Sequence, residues 1–290
     1  MANLKDIRTR IQSVKSTMQI TNAMKMVSAA KLKKAQEAIE NMRPYAEKLD
    51  EILVSLSSGM DTTEDNPYAQ EREEKRVLLV PITSNRGLCG ALNSNIIKET
   101  QLAFAYWEGK GAHTDILTIG KRAYDILKKT GRVIQNRSDI FDRDVEYDKA
   151  METAQFIMDA FAGKEYDKVI LIYNEFRNPA VQYVRREQFL PVQQAEGESK
   201  NQTDYIFEPS QKEIVEQLIP KSLKTKFYRT LRDAWASEHG ARMTAMHKAT
   251  DNAKEMVAEL TLQYNKARQA VITGEILEIV SGAEALKNQK

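Results

Sequence analysis

Apolar residues between Leu4 and Leu56 recur in alternating steps of three and four positions. A repeat averaging 3.5 residues over about eight heptads predicts a long coiled-coil helix. Only Thr21, Lys25 and Ser28 interrupt this apolar seam. Either the seam frays and is solvated there, or Lys25 meets another surface. The other seam positions are Leu4, Ile7, Ile11, Val14, Met18, Leu32, Ala35, Ile39, Met42, Ala46, Leu49, Leu53 and Leu56.

A second seam of the same kind lies near the C-terminal end, within a helical stretch that starts near Ile214. Its predicted positions are Met246, Ala249, Ala253, Met256, Leu260, Gln263, Ala267, Ala270, Gly274 and Leu277. Small residues dominate this seam and allow two helix axes to approach closely. We therefore expect the last helix to pair antiparallel with the first.

The middle of the chain alternates short β-branched runs with helical stretches. The expected strands are 77–82, 116–119 and 169–173, the helices lie near 91–107, 121–129 and 149–162, and 181–189 has the alternation of an edge strand. Such alternation predicts a parallel α/β sheet. The fold class is thus a Rossmann-like α/β domain inserted between paired N- and C-terminal helices. The expected division is 1–58, 59–209 and 210–290.

Charge and composition indicate a chain with much exposed surface that binds other proteins. Charged residues make up 29% of it, and its mean hydropathy is -0.53, which is typical of much exposed helix. The first 36 residues hold eight lysines and arginines against Asp6 alone. This end is expected to meet an acidic partner.

The residues that could carry chemistry favour no catalytic, cofactor or metal site. Cys89 is the single cysteine, and the three histidines lack a metal-binding spacing. The glycine turn, residues 85–90, follows a strand and precedes a helix but matches neither GxGxxG nor GxxxxGK[ST]. A structural turn is favoured over a nucleotide site. No apolar run is long enough to span a bilayer, so the chain is expected to be soluble or peripheral to a membrane.

Three blocks of sequence point to a family. Residues 7–36, 237–286 and the GLCGALN run at 87–93 resemble F-type ATP synthase gamma subunits of the bacterial type, and the resemblance covers essentially the whole chain. The resemblance implies a non-catalytic rotor stalk that couples ion flow, expected to be of protons, to conformational cycling of catalytic beta subunits. It also implies partners: an alpha and beta hexamer, an epsilon subunit and a c-subunit ring. The expected location is peripheral, at the cytoplasmic face of the cell membrane.

The resemblance further implies contact residues. Those expected to touch the catalytic ring are Met24, Lys25, Arg242, Gln269, Thr273 and Glu275, and those expected to touch the c ring are Tyr205, Glu208 and Pro209. Asn85 departs from the family, which often has aspartate there, so the role of that position is open.

Two other functional classes compete with this interpretation. A basic coiled coil that binds nucleic acid would use residues 1–36, but no aromatic stacking platform accompanies the charges. An oxidoreductase would use the central sheet, but the dinucleotide fingerprint is missing.

Overall fold

The computed structural model describes residues 4–57, 67–192 and 211–287. The helices are α1 (Leu4–Ser57), α2 (Leu92–Gly109), α3 (Lys121–Leu127), α4 (Tyr147–Ala162) and α5 (Gln211–Lys287). The strands are β1 (Arg76–Pro81), β2 (His113–Thr118), β3 (Val133–Asn136), β4 (Lys168–Asn178) and β5 (Val181–Leu190). Two short 3-10 helices, Lys128–Thr130 and Ser138–Phe141, complete these elements.

The chain divides into two compact units. One consists of Met1–Val27 and Met243–Lys290, and the other of Ser28–Arg242. The helix bounds agree closely with the long helices predicted from the two seams. The three-part division of the chain stays a prediction.

In the first unit, α1 and α5 pack against each other along their seams. The α1 seam from Leu4 to Met18 is half-buried, and Thr21 is buried. On α5 the buried seam residues are Met246, Ala253 and Leu260. The predicted pairing of the N- and C-terminal helices is therefore confirmed.

The predicted C-terminal seam was wrong at four of its positions. Met256, Gln263, Ala270 and Leu277 are exposed, with Met256 at 44% and Leu277 at 60%. Two inward positions, Val257 and Tyr264, were not predicted and are half-buried, whereas Ala267 and Gly274 were predicted and are half-buried as expected. Because α5 is apolar on two adjacent stripes, the spacing alone did not distinguish the inward stripe from its neighbour.

The second unit is built on a five-stranded sheet of order β3-β2-β1-β4-β5. Strands β1, β2 and β4 are parallel, as predicted, β3 is parallel to β2, and β5 forms the antiparallel edge beside β4. Strand β3 was not predicted, because its four residues show no burial alternation. Its pairing with β2 comes from tertiary context.

The centre of the sheet is buried on both faces. Val77, Leu78, Leu79 and Val80 of β1 are all fully buried, as expected of a parallel strand covered on each side. On one face Val77 and Leu79 pack with apolar residues of α2 and α3, including Ile96, Ala103, Trp107, Ala123 and Leu127. The sheet thus provides a rigid support for the loops at its edges.

An ion network joins three separate elements of the second unit. Asp144 lies 2.9 Å from Lys34 of α1 and 2.7 Å from Arg232 of α5. Although burial opposes ionisation of Asp144, hydrogen bonding from Lys34 and the nearby Arg232 lower the pKa of its carboxyl. The network ties both long helices to the loop before α4.

Within the described ranges, no helix is long and apolar enough to cross a membrane.

Candidate functional site

Residues expected to contact the catalytic ring lie on α1 and α5. Met24 and Lys25 are half-buried on α1, whereas Gln269, Thr273 and Glu275 are exposed on α5. All five belong to the first unit. The half-burial of Lys25 agrees with its position in the seam, where the aliphatic part of lysine can pack while the ammonium group reaches solvent.

Both paired helices also carry exposed apolar side chains that, apart from Leu277, the sequence patterns did not single out. On α1 they are Ile20, Met26 and Val27, which are 58–62% exposed. On α5 they are Leu262, Val271, Ile272, Ile276, Leu277, Ile279 and Val280, which are 43–71% exposed. Large exposed apolar surfaces mark interaction sites. The sequence signal that could have indicated these residues is the presence of large apolar residues on both helices outside the predicted seam.

Arg242 differs from the other predicted contacts because it is buried, with 7% of its surface exposed. Its Nη1 lies 2.6 Å from Glu238 Oε1, one helical turn away. Its Nη2 donates to the carbonyls of Arg86 (3.2 Å) and Gly87 (3.3 Å) in the glycine turn. Burial raises the pKa of Glu238 even though Arg242 favours its ionised form. The structure therefore shows Arg242 holding the glycine turn on α5.

The glycine turn is closed by hydrogen bonds between two residues that flank it. The Ser84 N–H donates to Asn93 Oδ1 (3.0 Å), and Asn93 Nδ2 donates back to Ser84 Oγ (2.7 Å). Leu88 and Gly90 have positive φ angles of 65° and 62°, which tighten the turn. These bonds support a structural turn.

Asn85 connects the glycine turn to two other parts of the sheet unit. Its Nδ2 donates to the carbonyls of Ser138 (2.8 Å) and Phe141 (3.0 Å). Its Oδ1 accepts from the Lys121 N–H at the start of α3 (3.0 Å). An amide can donate and accept in this way, whereas an ionised aspartate can only accept. The amide of Asn85 thus has a structural role that an ionised aspartate could not fill.

Cys89 shows none of the features of a catalytic thiol. It is 1% exposed, and burial is the main cause that raises the pKa of its thiol. A reactive cysteine needs a lowered pKa and access to solvent. In the described part of the chain, no three histidine, cysteine, aspartate or glutamate residues are grouped to hold a metal ion.

His239 lies next to Glu238 on the most deeply packed part of α5. It is 3% exposed, and neither ring nitrogen has a hydrogen-bond partner among the described residues. Its ring meets the Trp235 ring edge-on, with centroids 4.5 Å apart. Burial, together with the charges of Arg242 and Lys31, lowers the pKa of His239 to about 3. The imidazole is therefore neutral near pH 7.

The residues expected to touch the c ring, Tyr205, Glu208 and Pro209, lie outside the described residues. Their role stays a prediction.

Comparisons with known proteins agree over the whole chain. A family model described as ATP synthase matches residues 3–286. The ATP synthase gamma chain of Flavobacterium psychrophilum is 58% identical over 288 residues, covering 99% of this chain and 100% of the relative. That of Christiangramia forsetii is 57% identical over 286 residues, covering 99% of each chain.

Solved structures give the same result. A chain of the Tetrahymena thermophila mitochondrial ATP synthase central stalk and c-ring aligns with a TM-score of 0.58 at 27% identity, covering 79% of this chain and 99% of that one. A chain of the Euglena gracilis mitochondrial ATP synthase rotor aligns with a TM-score of 0.64 at 21% identity, covering 93% and 98%, and shows likeness of fold alone. With two paired long helices, an inserted sheet and full-length relatives above 50% identity, the chain belongs to the ATP synthase gamma-chain family.

Proposed function

We propose that this chain is the central rotor stalk of an ATP synthase and itself catalyses no reaction. The observation that carries the proposal is the exposed apolar surface on the paired helices α1 and α5, in a chain that matches gamma chains over its full length. Large apolar side chains exposed in this number on two helices need partners to cover them. The nucleic-acid alternative has no support from the relatives.

The proposed partners of the paired helices are alternating alpha and beta subunits. Met24 and Lys25 on α1 and Gln269, Thr273 and Glu275 on α5 would contact this ring. Arg242 would contribute mainly by keeping the glycine turn in place, since its guanidinium group is already bonded within the chain. Exposed ion pairs contribute only about 0–1 kcal/mol each. Steric contact would therefore carry most of the torque.

For the sheet unit, the proposed partners are the c-subunit ring and the epsilon subunit, with Tyr205, Glu208 and Pro209 among the contacts. Ion flow through that ring, which we take to be proton flow, would turn the stalk. One asymmetric stalk facing three beta subunits would favour a different conformation in each, and its rotation would cycle them. The complex would hold this chain at the cytoplasmic face of the membrane.

The test is rotation of a bead on this chain in a complex with cognate alpha and beta subunits. Cys89 is buried, so the bead needs an introduced cysteine, and the exposed Lys129 offers a site as Lys129→Cys. Stepwise rotation in one direction during ATP hydrolysis is expected. Failure to assemble, or assembly without rotation, would overturn the proposal.

The proposed contacts are tested separately in that complex. Glu275→Ala and Gln269→Ala should lower torque or the ATPase rate, whereas Glu255→Ala, also exposed on α5, serves as the matched control. Equal behaviour of all three variants would remove these residues from the contact set while leaving the rotor function standing.

A further inference from the structure

A groove in the sheet unit lies between α1, α5 and the end of β4. It has a volume of about 310 Å³ and is lined by three arginines, three carboxylates and several apolar side chains. The charged residues are Glu40, Arg43, Glu175, Arg177, Arg229 and Asp233. All of them belong to the Ser28–Arg242 unit. The rotor function assigns no role to this groove.

Two of these charged residues are already engaged by neighbours on the hairpin of β4 and β5. Glu175 accepts from Arg185 Nε at 2.7 Å, and Arg177 Nη1 donates to Tyr183 Oη at 3.0 Å. They form the wall of the groove and are not its main binding groups.

The remaining charged groups of the lining are Glu40 and Arg43 on α1 and Arg229 and Asp233 on α5. Arg43, on α1, and Arg229, on α5, both favour the ionised form of Asp233 electrostatically, yet no ion pair within 4.0 Å joins Asp233 to either one. Asp233 is half-buried, whereas the two arginines are exposed. Two guanidinium groups and two carboxylates, those of Asp233 and Glu40, thus line the same cavity.

We propose that this groove binds a protonated oxyanion of the phosphate class. Guanidinium groups bind phosphate oxygens with charge-assisted hydrogen bonds, which Arg43 can supply from α1 and Arg229 from α5. Hydrogen phosphate carries an O–H group, and an ionised Asp233 can accept from it. The proposal goes beyond the rotor function and does not depend on it.

The Asp233 carboxylate makes the site selective. Sulfate has a similar shape and charge but no O–H group at neutral pH, so its oxygen would face the lone pairs of Asp233. A site built to accept a hydrogen bond rejects a ligand that cannot donate one. Phosphate should therefore bind at least about tenfold more tightly than sulfate at pH 7.5.

The surroundings of Asp233 make this preference depend on pH. Burial and the carboxylates Glu175 and Glu187 raise the pKa of Asp233 to about 6, against the opposing effect of Arg229 and Arg43. Below that pH the protonated carboxyl can donate to either anion. The preference for phosphate should therefore weaken by pH 5.

Isothermal titration of the full chain with sodium phosphate and with sodium sulfate, at constant ionic strength, tests the proposal. At pH 7.5 the unchanged chain should bind phosphate more tightly than sulfate. The double variant Arg43→Gln with Arg229→Gln should lose binding of both anions. Asp233→Asn should bind both anions but no longer prefer phosphate. Arg132→Gln, a change at the residue before β3 and outside the groove, is the matched control. Thermal unfolding of each variant establishes that it is folded.

Two results would overturn the proposal. One is equal binding of phosphate and sulfate by the unchanged chain at pH 7.5. The other is unchanged phosphate binding by the folded double arginine variant. Neither result would bear on rotation, so failure of this proposal is distinguishable from failure of the proposed function.

Discussion

The hydroxyl of Thr250 on α5 donates to the hydroxyl of Thr21 on α1 at 2.8 Å. The Thr21 hydroxyl in turn donates to the Met18 carbonyl of its own helix (3.1 Å), while the Met246 carbonyl lies 2.8 Å from the Thr250 hydroxyl and shares its single proton. The polar interruption at Thr21 is thus paired across the two helices. A polar contact inside an apolar seam fixes the register of a coiled coil.

Replacing either threonine of this pair with valine should destabilise the chain modestly. Thr21→Val removes the cross-helix bond while preserving shape, so the free energy of unfolding should fall by about 1 kcal/mol. The double variant Thr21→Val with Thr250→Val should lose less than the sum of the single variants. Urea unfolding measures all three. Thr261→Val, which changes an exposed hydroxyl bonded to its own helix, is the control. Strict additivity would contradict the coupling.

Removing Arg242 should be far more disruptive. Arg242→Ala would leave Glu238 buried without its ion-pair partner, which typically lowers the free energy of unfolding by about 3–5 kcal/mol. It would also release the glycine turn from α5. Replacing both residues with methionine should restore part of the loss, because no buried charge remains. Chemical denaturation provides the measurement, and a loss below about 1 kcal/mol would show that the buried pair contributes little.

Asn85→Asp should destabilise the glycine turn. The change removes both donations to the carbonyls of Ser138 and Phe141, so we expect a loss of about 1–3 kcal/mol. The same change at the exposed Asn95, in the first turn of α2, should be neutral or slightly stabilising, because a negative charge there favours the helix dipole. The midpoint temperature of thermal unfolding should therefore fall for Asn85→Asp and stay unchanged or rise slightly for Asn95→Asp. Equal shifts would disprove the bridging role of Asn85.

His239 should make the chain sensitive to acid. The unfolded chain takes up a proton near the ordinary pKa of 6.5, whereas the folded chain takes it up only near about 3. The unfolded state therefore binds more protons between these values, and stability is lost as the pH falls from 6.5 towards 3. The slope from this residue should approach about 1.4 kcal/mol per pH unit.

His239→Leu tests this directly. The variant should lose less stability than the unchanged chain when the pH falls from 7 to 4, as followed by urea unfolding at each pH. His247→Leu, at an exposed histidine of α5, serves as the comparison. Parallel pH profiles for His239→Leu and the unchanged chain would show that His239 is not responsible.

Residue spacing predicted the long helices, their pairing and the parallel sheet, because a seam sustained over many turns and buried β-branched runs are strong signals. It did not distinguish Val257 from Met256 as the inward residue. Strand β3 was missed, since its pairing depends on β2 and its own residues have no alternation.

For the candidate site, the predictions came from resemblance to a family and not from spacing. Lys25 was recognisable within the seam, but Gln269, Thr273 and Glu275 have no pattern of their own on a charged helix. The bonds from Arg242 to the glycine turn join residues 155 and 156 positions apart. No local pattern could reveal such a contact, because it depends on how α5 packs against the sheet unit.

Pairing of the first helix with the last has a consequence for synthesis on the ribosome. Thr21 and Thr250 are separated by 229 residues. At roughly 5–20 residues per second, about 11–46 s pass between translation of the two positions. The sheet strands lie together between residues 76 and 190 and can associate while the chain is still growing. During that interval the apolar seam of α1 has no helix to cover it, so the nascent chain should be a substrate for chaperones until its last helix emerges.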